Sequence, residues 1–278
     1  MVKYFLLVAL LFSFSLADDV SNDDALTQKI KTLINTNLYE RNKAYINIIF
    51  SPKSRYYSGD RVNSVKVVQT LKENGLLDLF FKKPKELNLS FKTSGAPLFF
   101  VKIMGDALRN IGYYRYVTKE STLNSSEFTW TISLTAEYAT DPLVLQKELQ
   151  KSGCNITDIE RSSATDWLYV IDMRKGYLNL RKLYKGQEVK LKRSLYAHWL
   201  DVSNISKLKI NSSARNRWYP YIAYYDSSLH LLKVVKRDTK RRSISLNIPS
   251  GAKYIKISDI YTLKNIKDGL VLTPSGAR

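Results

Sequence analysis

Apolar and polar positions alternate along this chain with two different periods, and the period changes near residue 173. In the first part a helical spacing recurs. Leu26, Ile30, Leu33 and Ile34 share one face of a helix over Ala25–Ile34. Three later stretches, 62–74, 97–111 and 142–152, also read as helices, and each ends in the pattern Leu-x-x-x-Gly: Leu71 with Gly75, Leu108 with Gly112, Leu149 with Gly153. Pro97 and Pro142 suit a first helical turn, where a missing N–H costs nothing. The glycines suit the left-handed residue that stops a helix. Strands are expected at 44–50 (Tyr45, Ile46, Ile48, Ile49), 113–117, 128–138, 155–160 and 167–172, while 76–81 fits either type. The expected architecture is an α/β sandwich of helix–Gly–strand units.

After residue 173 the helical period disappears. Val189 and Leu191 alternate with Glu188, Lys190 and Lys192, and Ile244, Leu246 and Ile248 alternate with Ser243, Ser245 and Asn247. Further strands are expected at 177–183, 195–200, 207–210, 220–225, 229–235, 253–257 and 270–272. Turn signals at Lys185-Gly186, Asp226-Ser-Ser, Pro249-Ser-Gly251 and Asp268-Gly269 separate them. Short strands at this spacing predict an all-β sandwich. The fold class is therefore α+β, with an α/β region at 18–173 and a β-sandwich region at 174–278.

Charge sharpens the division. Residues 18–173 carry 20 Lys and Arg against 19 Asp and Glu, whereas 174–278 carry 23 against 6, so nearly all of the net +19 lies in the second region.

The N-terminus bears on the compartment. Lys3 precedes an apolar run over 4–14 broken only by Ser13, and Ser15-Leu16-Ala17 places small residues where a signal peptidase reads them. The run is shorter than the roughly 20 apolar residues of a membrane span. The pattern predicts a signal peptide at 1–17, cut between Ala17 and Asp18, and no transmembrane segment afterwards. The single cysteine, Cys154, cannot form an internal disulfide. An exported chain of this size without disulfides points to a bacterial periplasm, with release from the cell as the alternative.

Two segments carry a family resemblance. The run from Tyr219-Pro-Tyr-Ile-Ala-Tyr-Tyr-Asp226 through Ser-Ser-Leu-His-Leu-Leu232, and the run from Ser243 to Pro249 continued by Ser250-Gly-Ala-Lys-Tyr-Ile-Lys-Ile-Ser-Asp259, resemble the strand–turn–strand and the Pro–small–Gly–Tyr–strand segments of pre-peptidase C-terminal type modules. On that resemblance, residues 177–273 are a jelly-roll-like accessory module for binding or stabilisation. The basic composition here sets it apart from acidic or calcium-linked roles.

Catalytic and metal patterns are sparse. The two histidines, His198 and His230, have no second His or Cys at metal-ligand spacing, and no metal or cofactor is implied. His198, Asp201 and Ser203 are close in sequence but lack a Gly-x-Ser-x-Gly turn. Ser206-Lys-Leu-Lys209 lacks its supporting Lys-Thr-Gly. A glycosidase pair could be drawn from Glu137, Asp141, Asp158, Glu160, Asp166 and Asp172, and spacing does not select one.

The stronger chemical signal is basic and aromatic. Lys233, Lys236, Arg237, Lys240, Arg241 and Arg242 cluster around an expected hairpin turn, and Arg215, Arg217 and Trp218 form a second group. Guanidinium groups pair bidentately with phosphate and carboxylate, and planar aromatics stack on sugar faces. For the aromatics of the Trp218 group core packing is the favoured reading over ligand stacking, because alternate residues such as Tyr219 and Tyr221 share one face of a strand. The expectation is a non-enzymatic envelope protein whose basic sandwich meets an anionic glycan, lipopolysaccharide or membrane surface. Residues 18–173 would serve protein contact or self-association. Export makes nucleic acid a minor option. An accessory part of an envelope-spanning machine, or a cell-wall glycan hydrolase, are the alternatives.

Overall fold

A computed structural model describes residues 24–278. The expected signal peptide and its Ala17–Asp18 cleavage point lie outside the described residues. The chain is α+β: helices and strands alternate up to Asp172, and strands dominate after it.

The first helix, α1 (Ala25–Ile34), follows from its apolar spacing, with Leu26, Ile30, Leu33 and Ile34 all buried. Asp24 caps it by accepting the Thr27 amide at 2.8 Å. Next come α2 (Thr36–Arg41) and α3 (Lys43–Ile49). The expected strand at 44–50 is thus a helix. Ile46 and Phe50, four residues apart, are buried, whereas Ile48 is 71% exposed. A helix puts that pair on the core side, and an alternating strand would have buried Ile48 with Ile46.

A short hairpin of β1 (Tyr57–Ser58) and β2 (Arg61–Val62) leads into α4 (Ser64–Glu73), capped by Asn63. Then follow β3 (Phe80–Thr93), α5 (Pro97–Asn110), β4 (Val117–Leu123), β5 (Phe128–Tyr138), α6 (Pro142–Gln150), β6 (Asn155–Arg161) and β7 (Asp166–Asp172). The five longer strands form one sheet in the order β4-β5-β3-β7-β6, antiparallel except for β3 with β7. Gly75, Gly112 and Gly153 have φ of 70°, 101° and 71°, as helix-ending glycines require. The strand expected at 113–117 begins only at Val117. The segment before it is anchored by Tyr113, whose buried hydroxyl accepts a hydrogen bond from Thr140.

Leu87, Leu89 and Phe91 of β3, with Trp130, Ile132 and Tyr169 beside them, bury one sheet face in the same core as Val67 and Leu71 of α4 and Phe100 and Met104 of α5. The opposite face is polar: Asn88, Ser90 and Lys92 pair across with Ser133, Thr131 and Thr129.

The second region holds β8 (Val189–Leu191), β9 (His198–Asp201), β10 (Ile205–Ser212), β11 (Pro220–Tyr225), β12 (Leu231–Lys236), β13 (Ser243–Asn247), β14 (Tyr254–Asp259) and β15 (Leu270–Ala277). They form two four-stranded antiparallel sheets, β13-β10-β15-β8 and β12-β11-β14-β9. Leu208, Ile210 and Leu272 from the first and Ile222, Tyr224 and Ile257 from the second fill one core. The segment 177–183, expected as a strand, has only one bridge, Lys182 to Asp201. Its Leu178 belongs to the first core and its Leu183 to the second, so it runs from one core to the other and touches β9 only at Asp201.

The outer face of sheet β12-β11-β14-β9 rests on the first region. Tyr254 and Leu229 are buried in the first core, and Trp199 and Tyr225 pack against it. Among the described residues no helix is long and apolar enough to cross a membrane.

The Tyr224 hydroxyl is buried with no hydrogen-bond partner, and burial pushes its pKa up. Tyr224→Phe removes an unpaired polar atom while keeping the ring. The variant should gain about 1 kcal/mol in urea unfolding, whereas a loss of similar size would mean the hydroxyl has a partner.

Candidate functional site

The basic residues singled out in the sequence lie at one end of the second region. β12 and β13 edge different sheets. The segment 237–242 is therefore a crossing between sheets, and the expected hairpin turn is not formed. The two arrangements look alike locally; the long-range pairing of β12 with β11 and of β13 with β10 decides between them.

This crossing runs beside the loop 213–219. The Arg237 amide donates to the Pro220 carbonyl at 3.0 Å, the Arg241 amide to Trp218 at 2.9 Å, and the Ser212 amide to Arg242 at 2.8 Å. The two basic groups that the sequence separates are joined through their backbones. Lys233, Lys236, Arg237, Lys240, Arg241 and Arg242 are all exposed, and Arg217 is exposed on the adjoining loop. Among the described residues none of these seven is in an ion pair, and Asp238 is the only acid within 233–242. Lys236 lies 6.0 Å from the Tyr221 ring centre, and the Arg237 guanidinium donates to the Lys236 carbonyl.

Two of the expected site residues behave differently. Arg215 is paired with Asp268 at 2.7 Å, so its charge is already met. Trp218 is fully buried, and its indole N–H donates to the Ser258 carbonyl at 2.9 Å. It is a core residue and offers no face to a ligand. The loop pattern explains this: Asn216, Trp218 and Pro220 point in, while Arg215 and Arg217 point out.

Sequence reasoning missed the residues that hold this end in shape. Buried Asn216 donates to the Gly269 carbonyl at 2.8 Å and accepts the Asp268 amide at 2.9 Å. Buried Asp259 accepts from the amides of Tyr219, Tyr261 and Thr262 and from Asn265. An Asn or Asp in a loop carries no mark of such a role, because its partners are distant in sequence.

The weaker catalytic patterns do not assemble. The Ser203 hydroxyl donates directly to Asp201, and His198, whose pKa burial lowers, is not part of that bond. Four of the six carboxylates weighed for glycoside chemistry have structural partners. Asp141 caps α6 and pairs with Lys72. Burial pushes the Asp158 carboxyl up, but hydrogen bonds from Lys29 and Ser64 outweigh it and hold it below the usual range. Asp166 is lowered chiefly by a hydrogen bond from Ser163, and Asp172 chiefly by one from Arg174. A general acid needs the opposite shift. Cys154 is buried, and desolvation raises its thiol to about 11. Among the described residues, no cluster of three His, Cys, Asp or Glu side chains is placed to hold a metal ion.

A second feature had no sequence signal. Where the two regions meet there is a cleft of about 550 Å³. One face of α5 turns Lys102, Asp106 and Arg109 into it, and both cations pair with Asp106. Trp199 of β9 stands opposite, its ring centre 5.3 Å from the Lys102 ammonium and 5.7 Å from that of Lys256 on β14. The spacing of the three α5 residues is visible in the sequence as one helix face. What faces them comes from the other region and is not. No family model matches the chain, and no curated protein or solved structure matches it either.

Proposed function

We propose that this is an exported, non-catalytic envelope protein that docks through the basic rim of its second region on an anionic surface bearing phosphate or carboxylate groups. The region 18–173 is the half that faces a protein partner. The observation that carries the reading is the backbone pairing of segment 237–242 with loop 213–219, which gathers exposed, unpaired cations at one end of a β-rich module. Each such cation near an anionic surface contributes on the order of 1 kcal/mol at modest salt. Five or six together give roughly millimolar to tens-of-micromolar attraction. That suits reversible docking on a crowded envelope, where many sites compensate for weak single contacts.

The test uses the full chain. Lys240→Ala/Arg241→Ala/Arg242→Ala should elute from heparin, and dissociate from lipopolysaccharide, at clearly lower salt than the parent chain. Lys82→Ala/Lys83→Ala/Lys85→Ala removes the same charge from exposed positions of β3 and should change elution little. Equal shifts in the two triples would reduce the effect to net charge and sink the reading.

A further inference from the structure

The cleft between the two regions is lined by more positive charge than its own carboxylates meet. Asp106 is shared by Lys102 and Arg109. Glu148 at the end of α6 is taken by Lys151 at 2.5 Å and by the Asn110 amide at 2.6 Å. Both carboxylates are thus occupied, and among the described residues Lys256 has no acidic partner. Four cations, Lys102, Arg109, Lys151 and Lys256, face two anions across one open cleft.

This surplus sits where water is partly excluded. Burial lowers the Lys102 pKa even though Asp106 works against it, and Lys256 and Arg109 add to the lowering. Like charges held together in a partly desolvated cleft interact more strongly than at the surface, and an anion arriving there relieves that repulsion. Trp199 sets the geometry. Tyr225 packs at 4.9 Å from it, fixing the indole, and the ammonium groups of Lys102 and Lys256 converge on its ring. One ammonium comes from α5 and the other from β14, so an anion between them bridges the two regions.

The remaining walls say what else the ligand carries. The volume of about 550 Å³ is in the range of small-molecule sites and far exceeds a bare phosphate. Tyr196, on the loop leading into β9, lies over the Arg109 guanidinium at 4.3 Å and forms an aromatic edge to the cleft. Asn179 and His198 add neutral hydrogen-bonding groups of the kind that meet hydroxyls.

We infer that this cleft binds a small acidic sugar, its phosphate or carboxylate held between Lys102 and Lys256 and its ring lying toward Tyr196. The site is separate from the basic rim and does not depend on how the rim is used.

The test is titration of the full chain with glucose 6-phosphate and with glucuronate, followed by calorimetry and tryptophan fluorescence. Glucose and inorganic phosphate are the comparison probes. Saturable one-to-one binding is expected for at least one acidic sugar and none for glucose. Inorganic phosphate should bind more weakly than that sugar. Lys256→Ala removes one charge-assisted contact and should weaken binding by roughly ten- to a hundred-fold. Trp199→Phe should abolish the fluorescence change, because Trp130, Trp167 and Trp218 are buried in the cores. The rim triple Lys240→Ala/Arg241→Ala/Arg242→Ala should bind like the parent chain. No saturation by either acidic sugar up to about 10 mM would overturn the site. So would equal weakening by Lys256→Ala and the rim triple.

Discussion

Trp218→Ala should unfold the β-rich region at modest urea, with a stability loss of about 3–5 kcal/mol. The side chain is fully buried and lies in the core that unites the two four-stranded sheets. Truncation leaves a large cavity and strips the Ser258 carbonyl of its indole donor. Trp218→Phe restores most of the volume but not the hydrogen bond, and should cost about 1–3 kcal/mol. Circular dichroism against urea reads both. The two roles weighed for this residue separate cleanly here. A ligand-stacking tryptophan would leave stability within about 0.5 kcal/mol and lower retention on an anionic column. If Trp218→Ala stays folded and loses binding instead, the placement of this indole in the core is wrong.

Trp218 also marks the limit of what the sequence makes legible. The alternation Arg215 out, Asn216 in, Arg217 out, Trp218 in is a strand-like period that could be read beforehand, and it separates the charged from the buried positions. Most strands of the second region were legible in the same way, because alternation is a local signal. Partnership was not. The polar stretch between β12 and β13 has the composition of a hairpin turn, yet each strand pairs in a different sheet. The helix at Lys43–Ile49 was hidden by its β-branched content, and only the burial of Ile46 with Phe50 reveals its period. The cleft was the least legible part. Spacing alone puts Lys102, Asp106 and Arg109 on one helix face, and nothing local shows that Trp199 and Lys256 fold against them. Local periodicity fixes which side of an element is apolar, and long-range pairing fixes which charged sides meet.

The three glycines of the Leu-x-x-x-Gly pattern should respond very differently to alanine, although the sequence presents them as equivalents. All three have positive φ, so each substitution carries the cost of a Cβ in a left-handed conformation, about 1–2 kcal/mol. At Gly75 and Gly112 a Cβ would meet nothing within 4 Å, and the cost should stop there. At Gly153 it would lie 2.3 Å from the Lys175 carbonyl oxygen and 3.1 Å from the Tyr177 ring. That carbonyl belongs to the backbone of the joint between the regions, where the Tyr177 amide donates to Ser152 at 2.9 Å. Relief requires moving the joint itself, which adds an overpacking term of about 1–3 kcal/mol. Gly153→Ala should therefore lose about 2–5 kcal/mol, which is about 1–3 kcal/mol more than Gly75→Ala or Gly112→Ala. Urea midpoints measured at unchanged slope give the comparison directly. Three equal losses would mean that the helix ends alone matter and that the chain at 174–177 is free to move away from α6. A selective loss at Gly153 would locate there the contact through which the α6 end of the first region holds the strand-rich region in register.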